Sequence, residues 1–238
     1  MVNILEVNYI IPAGDGLKNI FSHQKALADK YHDIERNNGL LQCKEMPVDL
    51  HDRFGQARLK DFAWRFTEEL GEALEAITLH PDHLEHFEEE MADALHFLTE
   101  FTLLAGVFPR ELTPDPEVRD SGLLERMFES SRSQIDQGLL EFFDGCRTHG
   151  RMDLFGNQMS FYVGRIVEAM GSTCNSLKNK PWKVSHLLTD VDLFKSGVKK
   201  VWYRFIEMCL MGGISSERLI ELYFAKNQVN QFRQRSNY

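Results

Sequence analysis

The sequence predicts an all-α fold, a helical bundle, and three observations carry that reading. Apolar residues recur at spacings of three and four along most of the chain. Val, Ile and Thr are too scattered to line a sheet. Prolines fall between the periodic stretches, as at Pro81 and in a three-proline linker, and none falls inside one. With 238 residues, 43% hydrophobic and 26% charged, the chain has an ordinary globular mix and can bury a substantial core.

Before residue 16 the chain reads as irregular or short extended structure. Asp15 can cap a first helix over roughly residues 17–36, stopped by "NNG". A second helix covers roughly 51–79, with Leu59, Phe62, Ala63, Phe66, Leu70, Leu74 and Ile77 on one stripe. Pro81 separates it from a third, roughly 82–105, whose stripe is Phe87, Met91, Ala94, Leu95, Leu98, Thr102 and Ala105. "GVFPRELTPDPEVRDSG" holds three prolines in seventeen residues and is the clearest linker. Helical patterns resume over 123–146, 157–173 and 190–211, and a last one follows in "GGISSERLIELYFAKNQVNQFRQ".

Composition excludes several classes. No apolar run approaches the length of a membrane span, and "MVNILEVNYIIPAGDG" lacks a basic leader. Cys43, Cys146, Cys174 and Cys209 stand far apart without CxxC spacing, which fits a reduced, cytoplasmic chain with no zinc ribbon. The net charge of −9 is uneven: residues 1–106 carry 20 acids and 9 bases, residues 161–238 carry 6 acids and 12 bases. An acidic half and a basic half together can grip a polyanion, through metal ions on one side and Lys or Arg on the other. Stable nucleic-acid binding is not expected, because no basic patch is interleaved with aromatics and the chain is acidic.

A weak internal repeat runs through the pattern. "FEEEMADALHFLTEFTLLAG" (87–106) matches "FKSGVKKVWYRFIEMCLMGG" (194–213), and "GEALEAIT" (71–78) matches "GRIVEAMG" (164–171). The acids do not repeat: Glu72 aligns with Arg165, Glu88 with Lys195, Glu90 with Gly197 and Asp93 with Lys200. Duplication of a helix pair and chance likeness between two amphipathic pairs both fit.

The stretch from Phe66 to Phe97 holds ten carboxylates. On the second helix Glu69 lies roughly 80° and Glu72 roughly 140° from the centre of the apolar stripe, and on the third Glu90 and Asp93 repeat those offsets. Each pair is spaced i,i+3, so both carboxylates of a pair point together. Beyond Asp93 the flank continues with Phe97 and Leu104, so it is not simply a solvent face. Glu68, Glu75, Glu85, Glu89 and Glu100 fall on the far face, and most of them are expected to be solvated. Four converging carboxylates cannot all ionise without cations, and an oxygen-only set suits Mg²⁺. A metal site and a charged helix face both remain open on these residues alone. At the C-terminus Lys226, Asn230 and Arg233 fall at i, i+4, i+7 on one face, a set able to clamp phosphate or simply to end a polar helix.

Rival chemistries have thinner support. "YHD" (His32-Asp33) and "LHD" (His51-Asp52) suggest an HD phosphohydrolase, which would need a further His and Asp. "DALH" (Asp93–His96) alone approaches the ExxH pair of a di-iron bundle. His80, His83 and His86 at spacing three suggest zinc, against an exposed turn beside Pro81. A helical nucleotide-binding or interaction protein without catalysis is the non-enzyme alternative, and the complete acidic quartet argues against it.

"EELGE" followed by "EEEMAD" is similar to the ExxE…ExxD signature of the all-α nucleoside triphosphate pyrophosphohydrolases, the group of MazG-like enzymes and dimeric dUTPases. "LIELYFAKNQVNQFRQRSNY" resembles the C-terminal KNxxNxxRQ…Y element of the dimeric dUTPase and phage dCTPase–dUTPase branch. The resemblance covers roughly 17–106 and 160–238. It implies one domain over 1–238: an acidic metal-binding half (17–106), a linker or inserted helical segment (107–157), and a basic degenerate half (158–238) with the phosphate-binding helix. It implies that Glu69, Glu72, Glu90 and Asp93 hold Mg²⁺, more than one ion, with Mn²⁺ able to substitute, and that Glu72 deprotonates the attacking water. Lys226, Asn230 and Arg233 would hold the phosphates of a nucleoside triphosphate, dUTP or dCTP, cleaved to monophosphate and pyrophosphate by a homodimer. Gln24 matches the residue that reads the base. The Asn expected shortly after it is missing, since Leu27 and Ala28 follow, which leaves the base open. Trp64 and His51 are further candidates for the base pocket. Arg165, Lys195 and Lys200 are candidates to face the phosphates, or to lie solvated on the surface.

Overall fold

The computed structural model describes residues 9–39, 46–79, 83–113, 121–180, 182 and 184–235, and no strand occurs among them. The helices in chain order are α1 (Gly16–Asn37), α2 (Arg53–Leu79), α3 (His83–Leu104), α4 (Pro109–Leu112), α5 (Leu123–Ser133), α6 (Gln137–Thr148), α7 (Met152–Asn175), α8 (Val191–Gly212) and α9 (Ser216–Arg235).

Local chemistry sets the starts. Asp15 Oδ1 accepts the Lys18 N–H at 2.9 Å, the cap that α1 needs, and Oδ2 accepts the Leu123 N–H at 2.8 Å. One carboxylate thus starts α1 and ties down the start of α5. α2 begins two residues later than the periodicity predicts, because Asp52 Oδ2 accepts from Phe54 and Gly55 N–H at 2.8 and 2.9 Å. The span 123–146 is two helices, not one: Asp136 leaves the helical conformation and accepts the Leu139 N–H at 3.2 Å, starting α6 afresh. α7 begins at Met152, earlier than predicted. α4 lies inside the expected linker, whose Pro114 and Pro116 fall outside the described residues.

α2 and α3 form the main antiparallel pair. Phe62 near the start of α2 meets Phe97 near the end of α3, ring centroids 6.3 Å apart. The predicted stripes are buried except for half-buried Leu74. α3 buries far more than its stripe, because α1, α8 and α9 pack on it as well as α2. Glu90, His96, Thr99 and Glu100 are all buried there. Thr99 and Thr102 return their hydroxyls to Leu95 and Leu98 carbonyls at 2.7 and 2.6 Å, and Trp202 Nε1 of α8 donates to Thr102 Oγ1 at 2.8 Å. α5 and α6, from the segment that matches no part of the repeat, brace α8 and α7.

The two segments of the repeat are α2–α3 and α7–α8, and the second pair also packs side by side. Its register differs. The repeat would set Gly197 across from Arg165, as Glu90 sits across from Glu72. Instead Gly197 packs on Thr173, where an added Cβ would lie 2.5 Å from Thr173 Oγ1. That is eight residues along α7, about 12 Å. The matching glycines are explained by their caps. Gly106 and Gly213 have φ of 66° and 81°, and each ends its helix with the same pair of bonds. Val107 N donates to Thr102 O and Gly106 N to Leu103 O, just as Ile214 N donates to Cys209 O and Gly213 N to Leu210 O.

Candidate active site

On α2, Glu69 and Glu72 stand one turn apart, and each reaches toward Glu90 of α3. One carboxylate oxygen from each of the three lies within 4.8 Å of the others. Asp93, one turn beyond Glu90, does not join the cluster directly; it holds the Lys226 ammonium of α9. Burial pushes the Glu69 carboxyl up to about 8, with the negative charges of Asp93, Glu72 and Glu90 adding and Lys226 opposing. Burial also raises Glu90, with Asp93 adding, while Lys226 and His86 oppose. His86 stands 3.4 Å from Glu90 and 3.6 Å from Glu89. A hard divalent cation of the Mg²⁺ kind fits this set: the donors are all carboxylate oxygens, and a proton near neutrality does what a cation would do better.

A cavity of about 390 Å³ opens beside the cluster between α1, α2, α3 and α9. Glu69 and Asp93 line one side, and Asn230 and Arg233 of α9 line another. Gln24 and Leu27 of α1 face in, together with Phe97 and Glu100 of α3. Gln24 is buried and fixed at both ends: Nε2 donates to Glu100 Oε2 at 3.1 Å, and Oε1 accepts from the Tyr223 hydroxyl at 3.2 Å. Arg58 lines the same wall, with its guanidinium 5.1 Å over the Phe62 ring and Nη2 donating to Glu35 at 2.8 Å. His96 stacks on Tyr223, centroids 4.3 Å apart. Its Nδ1 donates to the Ala92 carbonyl at 2.8 Å, so Nε2 is a bare acceptor. Burial lowers its pKa and keeps the ring neutral.

The structure therefore brings Glu69, Glu72 and Glu90 together, and sets Asp93, Gln24, Asn230 and Arg233 around the adjoining cavity. Lys226 sits on a carboxylate and does not stand free for phosphate. Trp64 is not in the cavity wall; it is 63% exposed and donates its indole N–H to Glu68 at 2.8 Å. His51 Nδ1 accepts the Thr189 N–H at 3.1 Å, pinning the connection before α8. Lys195 pairs with Glu111 at 2.9 Å and Arg165 with Glu207 at 3.1 Å. Lys200 lines a separate groove between α7 and α8. None of the three lines the acidic cavity.

Both HD dipeptides serve structure. His32 is buried 3.6 Å from Glu100 while Asp33 pairs outward with Arg36, and Asp52 is the cap of α2. Of the histidine trio, His86 faces Glu89 and Glu90, and His80 lies outside the described residues. Tyr238, the last residue of the C-terminal element, also lies outside them. Glu100 corrects the expectation of a solvated far face: it is 5% exposed. Its signal was present, since Asp93, His96, Phe97 and Glu100 fall at i, i+3, i+4, i+7 on one face of α3. Arg58 and Tyr31, which also line the cavity, had no pattern to single them out.

An all-α bundle with a carboxylate cluster beside a cavity lined by carboxylates and arginines together has the chemistry to hold cations and a polyanion side by side. The particular family follows from the sequence as a whole: a family model described as dUTPase matches residues 16–238, and the chain belongs to that family. That confirms the resemblance and places the chain among dUTPase-like nucleotide hydrolases, generally dependent on divalent metal. No curated protein and no solved structure matches the chain.

Proposed function

We propose that the protein is a Mg²⁺-dependent deoxynucleoside triphosphate pyrophosphohydrolase, converting dUTP or dCTP to the monophosphate and pyrophosphate. The supporting observation is that one cavity is shared by Glu69 and Asp93, by Gln24, and by Asn230 and Arg233. In this reading Gln24 meets the base, and Asn230 and Arg233 hold the outer phosphates. Lys226 moves from Asp93 to the phosphate chain as cations arrive. Glu69, Glu72, Glu90 and Asp93 hold the Mg²⁺ ions, for which Mn²⁺ can substitute. Bound Mg²⁺ supplies charge neutralisation on the phosphates and acidifies water. Glu72, the exposed member of the cluster, takes the proton of the attacking water. The water oxygen bonds to the α-phosphorus, the bond to the bridging oxygen breaks, and pyrophosphate departs.

The homodimer belongs to the same reading, and light scattering after gel filtration would report it. The reaction itself is tested by incubating dNTPs and NTPs with the protein and Mg²⁺ and resolving products by ion exchange. The expected result is monophosphate plus pyrophosphate, lost in Glu72→Gln. Orthophosphate as the first product, or unchanged turnover in Glu72→Gln, would refute it.

A further inference from the structure

We infer that the base pocket selects an amino-bearing pyrimidine edge, that of cytosine, and that Glu100 is the specificity-determining residue. The inference rests on the nucleotide reading above and concerns only which base the site takes.

Glu100 is 5% exposed and lines the cavity, yet among the described residues it accepts a single hydrogen bond, from Gln24 Nε2 at Oε2. A buried carboxylate has room for about four. The neighbour of Oε1 is His32 Nε2 at 3.6 Å, beyond hydrogen-bond length, and that nitrogen is itself buried without a hydrogen-bond partner. An acceptor left this short inside a protein calls for a donor from outside it. The cavity is the open side.

Two fixed groups define what fits. Glu100 sets the orientation of Gln24, since a carboxylate oxygen accepts only from Nε2; Oε1 then lies 3.2 Å from the Tyr223 hydroxyl, which also reaches the Ile20 carbonyl at 3.1 Å. Among the described residues the other N–H of Nε2 meets no acceptor, and Gln24 and Glu100 line the cavity together, so the pair can present a donor next to an acceptor. Cytosine carries the complement, an acceptor at N3 beside the N4 amino donor, and carboxylates are the usual partners of that amino group. Uracil can set O4 on the Gln24 N–H and its N3–H on the carboxylate, but its O2 then faces that carboxylate as well. Like partial charges in a buried site repel strongly. Leu27, one turn after Gln24, adds an apolar wall that donates nothing to a carbonyl at position 4.

The test is calorimetric binding of non-hydrolysable α,β-imido dCTP and dUTP to the full chain in Mg²⁺, wild type and Glu100→Gln. Wild type is expected to bind the cytosine analogue about tenfold tighter or more. Glu100→Gln should bring the ratio near one, because its amide can donate to the uracil carbonyl. A cytosine analogue with hydrogen in place of the 4-amino group should bind wild type as weakly as the uracil analogue, a control needing no variant to fold. Equal or tighter uracil binding by wild type overturns the inference, as does an unchanged ratio in a folded Glu100→Gln, which would leave Glu100 only a strut for Gln24. Turnover of both natural nucleotides separates the two readings. Hydrolysis without cytosine preference sinks this inference and leaves the hydrolase; cytosine-selective binding without hydrolysis does the reverse. No binding of either analogue overturns this inference.

Discussion

Replacing Glu69 by Gln should make the metal-free protein more stable at alkaline pH. Glu69 is half-buried among Glu72, Glu90 and Asp93, and its carboxyl is pushed from 4.5 up to about 8. A folded-state pKa above the unfolded value means that the native state binds more protons between the two, so stability falls as pH rises through that window. The contribution is fully present below 4.5 and gone above 8. At about 1.4 kcal/mol per pKa unit, the shift sets an upper bound of about 5 kcal/mol. Solvent reaches this carboxyl, and screening brings the expected figure to roughly 1–2 kcal/mol. For a chain of this length that is a melting difference of about 3–6 °C. Thermal unfolding in EDTA, followed from pH 5 to pH 9, reads it directly: the variant should match wild type at pH 5 and melt higher at pH 9. Excess Mg²⁺ should reverse the order, because it stabilises only the chain with the full donor set. A variant that tracks wild type at every pH, or melts lower at pH 9 without metal, would refute the electrostatic account of the cluster.

Lys226→Met removes the partner of Asp93 and, on the proposed reading, a phosphate contact; it should weaken triphosphate binding about tenfold or more, measured by calorimetry, with a smaller effect on the monophosphate. Arg218→Ala cuts the tie from α9 to α3, where Nε and Nη2 both reach Glu88 Oε2, at 3.0 and 2.6 Å. It should cost about 1 kcal/mol in urea unfolding and leave KM unchanged. Gly197→Ala should destabilise by about 1–3 kcal/mol, since its Cβ would meet Thr173, and Thr173→Ala in the same chain should restore most of the loss.

The helices were legible because their burial is periodic. Leu59 to Ile77 and Phe87 to Ala105 each lie on one stripe, and a stripe needs no knowledge of its partner. Caps were legible in part: Asp15 stands where an acceptor is needed, whereas Asp136 lies inside an unbroken apolar pattern that hides its cap. The acidic pairs were visible at i,i+3 because both members of each pair share a helix. Trp64 and His51 show the limit. Residue type suggested a base pocket, but one side chain faces solvent and the other accepts the Thr189 N–H just before α8.

Residue order within each helix was enough for the all-α class, the α2 and α3 stripes, and the pairing of Glu69 with Glu72 and Glu90 with Asp93, since these follow from a helix's own period. Only the packing of α1 and α9 onto α3 decided the rest. It buried Glu100 under Gln24, laid Lys226 on Asp93, and closed the cavity with Asn230 and Arg233. Those contacts join residues far apart along the chain, and a face becomes interior only when another helix covers it. The shifted register of α7 on α8 has the same cause: Gly197 admits Thr173, and that fit, invisible in either helix alone, sets how the two lie together.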